Sequence, residues 1–195
     1  MGLKVHSRVP RKAPGGKTQE RKNILPGGAG KPAMKRPRKT AEACWPSPRG
    51  GEDPWAGAKA GRWLPPSGQA VVRAGLLAWQ GLGARETGAP RERAILVAGV
   101  EGCWPDWLSG KSPGDVAAGW RGRPPLWLLG CLPNLPAAQL AIEIGACGPV
   151  ESRRSRADDG AMVKRALRRW QRRGVRTVLV VRLAGETAKA EVWSL

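Results

Sequence analysis

Apolar residues fall at helical spacing in three stretches of this chain and form short unbroken runs in two others. Val71, Val72, Leu76, Trp79 and Leu82 keep helical intervals after the breaker Pro65-Pro66-Ser67-Gly68, and Gly81 and Gly83 end the element. This predicts a helix over 70–82. Ala94–Val100 (AILVAGV) is a brief apolar run between charged and glycine-rich flanks, the pattern of a strand buried on both faces of a parallel sheet. Residues 101–126 are rich in Pro, Gly and Trp and read as a loop. A second helix is predicted over 135–145, with Asn134 as N-cap, Pro136 in the first turn, and Ala138, Leu140, Ala141 and Ile144 on one face. Val150–Arg156 can form a strand. A third helix over 160–173 carries Met162, Val163, Ala166, Leu167 and Trp170 on one side; Asp158 and Asp159 suit its positive end, and Gly174 its C′ position. Val175–Leu183 (VRTVLVVRL) is the clearest strand. Such alternation predicts an α/β fold: one mostly parallel sheet, helices on its faces, with 94–100 and 175–183 as parallel strands.

Charge divides the chain differently. The net charge is +19, of which residues 1–50 hold +11, 51–150 only +1, and 151–195 the remaining +7. Residues 1–61 combine Pro, Gly and Lys/Arg with almost no periodic apolar positions, so the expectation is a disordered basic tail followed by a domain over 62–195. The run KPAMKRPRK at 31–39 has the look of a nuclear-localisation or nucleic-acid patch, although a solvated charge run is the commoner origin of such a segment. The third helix presents Lys164, Arg165, Arg168, Arg169, Arg172 and Arg173, either as a wet face or as contacts to phosphate. Ten Trp stand with no Phe or Tyr; Trp79, Trp127 and Trp170 are expected in the core, whereas Trp104, Trp107 and Trp120 fall in the predicted loop.

Composition excludes several chemistries. The one histidine, His6, lies in the tail, so mechanisms that rest on a positioned imidazole are excluded from the core. Cys44, Cys103, Cys131 and Cys147 include no CxxC pair, so neither a structural zinc site nor a disulfide scaffold is expected. No metal or cofactor is implied. No run of about 18 apolar residues occurs, so no membrane span is expected, and the cysteines read as reduced thiols of a cytoplasmic protein.

Four separated pieces carry a resemblance to one family. AGLLAWQGLG (74–83), RERAILVAGVEG (91–102), LPNLPAAQLAIEIGACGPV (132–150) and ALRRWQRRGVRTVLVVRLAGE (166–186) resemble, in order, the N-terminal half of β-ketoacyl-(acyl carrier protein) synthases of the thiolase-like superfamily. The third piece is the nearest match. The resemblance implies a thiolase-like half-fold in 62–195. It also locates the family's nucleophilic cysteine, nine residues after the glycine of the Gly-Pro pair and seventeen before the glycine that closes the next helix. Counting forward from Gly148 and backward from Gly174 gives the same residue, Ala157. Alanine has no atom that attacks a thioester. The family's second half supplies two histidines and a lysine, and this chain ends at Leu195, before that half would begin.

The resemblance therefore implies a pseudoenzyme, with no catalytic residue. Its expected role is accessory to fatty-acid or polyketide biosynthesis, through binding a complete synthase or an acyl carrier protein, with Arg165, Arg168 and Arg172 as candidate contacts. The family's dimer strand is mostly apolar, whereas here it contains Arg153, Arg154 and Arg156, which disfavours a homodimer. Two alternatives stay open: a nucleic-acid-binding protein that uses residues 1–50, and a decayed fragment without function.

Overall fold

A computed structural model describes residues 35–47, 50, 52–83, 86–101, 110–120, 131–154 and 160–195, apart from the side chains at 60, 62 and 120. Five strands and four α-helices occur among them, besides two short 3-10 turns: β1 (Arg38–Trp45), α1 (Pro66–Gln80), β2 (Arg93–Ala98), α2 (Pro113–Trp120), α3 (Leu135–Glu143), β3 (Val150–Arg153), α4 (Gly160–Gln171), β4 (Thr177–Ala184) and β5 (Thr187–Ser194). The strands form one sheet in the order β1-β5-β4-β2-β3.

The two long apolar runs become its centre. β2 lies parallel to β4, with Ile95 opposite Leu179 and Val97 opposite Val181, and β3 lies parallel on the other side of β2. From Ala94 through Ala98 and from Thr177 through Val181 every residue is buried, because helices cover both faces here. On one face α1 and α3 pack Val71, Val72, Ala137 and Leu140 against Ile95, Val97, Leu179 and Val181. The helices meet at Gly75, where a Cβ would come within 2.6 Å of a Leu140 methyl, so a side chain there would force them apart. On the other face α4 sets Val163, Ala166, Leu167 and Trp170 on Ala94, Leu96, Val178 and Val180.

Three expectations need correction. The folded region does not begin at residue 62. β1 pairs antiparallel with β5 from Arg38 opposite Ser194 to Trp45 opposite Ala188, and Trp55 is buried, its indole N–H donating to Glu143 at 3.0 Å. Asp53 receives the Arg73 guanidinium at 2.8 Å, which fastens this segment to α1. The apolar signal was missing because β1 (RKTAEACW) contributes mainly Ala41, Ala43 and Trp45 to the core, and its register is held by the backbone ladder and by charge. The predicted loop 101–126 contains a helix, α2. The sheet is also less parallel than expected, since β4 turns directly into antiparallel β5.

Asn134 does occupy the N-cap of α3, but its side chain makes no capping bond. The far end of α3 is served by Arg93, whose guanidinium donates to the Ile144 carbonyl at 2.7 Å and to the Gly88 carbonyl at 2.9 Å. A cation on the carbonyl end of a helix is favoured by its dipole.

Candidate functional site

Two glycines frame the connection from β3 into α4. At Gly148 a Cβ would lie 2.2 Å from the Arg93 carbonyl oxygen and 2.9 Å from that of Arg91, so only glycine lets the chain pass the start of β2. Gly174 has φ +80°, a left-handed conformation that closes α4. Both residues from which position 157 is counted are thus demanded by backbone geometry. Ala157 itself, with Asp158 and Asp159, lies outside the described residues; β3 ends before it and α4 begins after it.

α4 has two contrasting sides. Val163, Ala166, Leu167 and Trp170 are buried, while Lys164, Arg165, Arg168, Arg172 and Arg173 are exposed. Arg172 continues the helical pattern, its N–H donating to the Arg168 carbonyl at 3.3 Å. Between 160 and 173 stand six cations and no carboxylate, which makes four like-charge pairs at i,i+4: 164/168, 165/169, 168/172 and 169/173. Each such pair weakens a helix by roughly 0.2–0.5 kcal/mol, so the set costs α4 about 1–2 kcal/mol. Cations near its carbonyl end recover part of this through the dipole. Glu151 on β3 accepts from Arg169 at 2.5 Å and from Arg153 at 3.0 Å. The three candidate contacts Arg165, Arg168 and Arg172 are therefore together on one exposed stripe.

A second surface was not anticipated from sequence. Among the described residues the large exposed hydrophobic ones are Leu132, Ile142 and Val150, at 46%, 73% and 40% exposure, and all three belong to α3, its approach, or β3. Among the described residues β3 has a neighbour on one side only, β2. Val150 thus opens the edge strand itself, while Leu132 and Ile142 belong to α3, which contacts β3, and its approach. Ile142 sits on the outer side of α3, a place where periodicity alone marks no partner. Beside them are Arg153 and Arg154, with Glu151 already engaged.

Of the tryptophans, Trp170 is fully buried and Trp79 packs on the core, as expected; Trp104, Trp107, Trp127 and the side chain of Trp120 lie outside the described residues. Cys44 and Cys131 are half-buried and Cys147 is exposed. Among the described residues no group of three His, Cys, Asp or Glu side chains is placed to hold a metal, and no helix is long and apolar enough to cross a membrane.

A mixed five-stranded sheet with α4 laid behind its parallel half is an α/β fold of the thiolase-like kind. Among solved structures the chain is similar to one from Xenorhabdus doucetiae, in the complex of a ketosynthase (ApeO) with its chain length factor (ApeC). The TM-score is 0.54 at 13% identity, over 81% of this chain and 78% of that one. The two shares are nearly equal, so the aligned chains are of nearly the same length. No protein-family model matches the sequence, and no curated protein does.

Proposed function

We propose that this chain is a non-catalytic ketosynthase-like protein that docks on a complete ketosynthase and assists fatty-acid or polyketide assembly. The observation that carries the reading is the count along the sequence from Gly148 and from Gly174, which under the family resemblance meets at Ala157 for the nucleophile position. With no thiol at that position and no histidine in the folded region, neither acyl transfer nor decarboxylative condensation has its reacting groups within these residues. What remains useful is shape. The open edge of β3, with Leu132, Ile142 and Val150 around it, offers a strand ladder and an apolar contact together. Arg153 and Arg154 on that edge favour a partner with carboxylates over a second copy of the chain. The similar chain of known structure comes from a ketosynthase–chain length factor complex, which supports the same reading.

Co-expression with a complete ketosynthase from the same genome, followed by size-exclusion chromatography with light scattering, tests the proposal. A stable one-to-one complex is expected, and Ile142→Glu with Val150→Glu abolishes it while the chain stays folded. Intact-mass analysis after incubation with acyl carrier protein thioesters should show no acylated chain, and Ala157→Cys alone should restore no condensation. Acylation of the wild-type chain at one defined residue sinks the reading.

A further inference from the structure

The sequence presents two basic regions far apart, the run around 31–39 and the helix around 160–173, and reads them as alternatives. The structure brings the ends of the two together. Gln171, the last residue of α4, donates from its side-chain amide to the Lys35 carbonyl at 2.7 Å, so the segment carrying exposed Lys35, Arg36 and Arg38 passes the C-terminal end of the α4 stripe. Arg172 and Arg173 follow directly. From this juxtaposition we infer that Lys35, Arg36 and Arg38 together with Lys164, Arg168, Arg172 and Arg173 form one continuous cationic surface that binds the phosphate backbone of a nucleic acid.

Three observations select this ligand. The α4 stripe keeps four like-charge i,i+4 pairs that weaken its own helix, and a solvated face ordinarily alternates signs instead. Lys164, Arg168 and Arg172 succeed one another about 6 Å apart along the axis, a row of charge suited to an extended polyanion. Among the described residues the surface also contains none of the exposed large hydrophobic ones, Leu132, Ile142 and Val150, which belong to α3, its approach and β3. A protein interface needs a desolvated apolar anchor, whereas attachment to a phosphate backbone needs only charge and counterion release. The helix and strand segment thus fit a nucleic acid better than an acidic protein, and this assignment is independent of synthase docking.

The test measures anisotropy of a labelled random-sequence DNA duplex, about three helical turns long, against the full chain over a range of KCl concentrations. Two triple variants are compared: Lys164→Gln/Arg168→Gln/Arg172→Gln and Lys35→Gln/Arg36→Gln/Arg38→Gln. Each is expected to weaken binding at least about tenfold and to lower the log–log salt slope by up to about 0.9 per cation removed. The first triple should also melt no lower than wild type, because it removes like-charge pairs. A fall in its Tm would mark the stripe as structural and overturn the inference. So would binding that survives both triples and disappears only when residues 1–34 are deleted, or an effect of the α4 triple without one of the 35–38 triple. Equal affinity and salt slope with phosphatidylserine vesicles, or with an acidic carrier protein, would overturn the assignment to nucleic acid.

Discussion

The parallel half of the sheet, β3-β2-β4, and the antiparallel half, β4-β5-β1, share a strand but are stabilised differently. In the parallel half α4 supplies a second covering layer, so Leu96, Val178 and Val180 are as deeply buried as Ile95 and Leu179 on the opposite face. In the antiparallel half the α1 face is apolar, built from Ala188, Ala190 and Val192 with Ala41 and Ala43. Its other face packs Trp193 against the α4 cluster and is otherwise a lattice of ions. Glu42 stands opposite Glu191 and Arg182 opposite Lys189, like against like, which would weaken the ladder if left so. The diagonals neutralise it. Arg182 donates to Glu191 at 2.8 Å, Lys39 approaches Glu191 at 3.5 Å, and Glu42 takes both Lys39 and Lys189. One half depends on burial in two layers, the other on burial in one and on charge placed diagonally.

The contrast breaks first in the parallel half. Trp170→Ala should cost about 3–5 kcal/mol of unfolding free energy by urea denaturation, because it empties the contact between α4 and the sheet. A loss below about 1 kcal/mol would mean that α4 is not a true covering layer. Gly148→Ala comes next, at about 2–3 kcal/mol, since its Cβ meets backbone oxygen that no rotamer change can move aside.

In the antiparallel half Glu191→Gln should cost about 2 kcal/mol, because the Arg182 partner is only 18% exposed and loses its charged acceptor. Amide exchange should quicken along β5 and β1 with little change in β2, and uniform quickening would erase the distinction between the halves. Glu42→Gln is the mildest change, below about 1 kcal/mol, because the side chain is well exposed. Hydrogen bonds from Lys189, then Lys39, hold the Glu42 carboxyl below its ordinary range. Its contribution is therefore present above the usual carboxylate pKa and is lost as pH falls through the depressed value. The Tm gap between wild type and Glu42→Gln should accordingly close in acid, and a gap that widens there would contradict the pairing.

By itself the sequence determined the parts whose physics is local and apolar. β2 and β4 were legible as unbroken hydrophobic runs because both faces are buried, and α4 as a helix because Val163, Ala166, Leu167 and Trp170 repeat along one side. The spacing from Gly148 and Gly174 to Ala157 was also legible, since each glycine answers a constraint of the backbone at its own position. Only the tertiary structure decided the rest. β1 and β5 carry small and charged residues whose value appears when Ala faces α1 and each carboxylate meets a cation from another strand. Trp55 looked like tail until Glu143, from a distant helix, received its N–H. The approach of Lys35 to the end of α4 follows from β1 closing the edge of the sheet, a long-range pairing that no periodicity within either segment encodes.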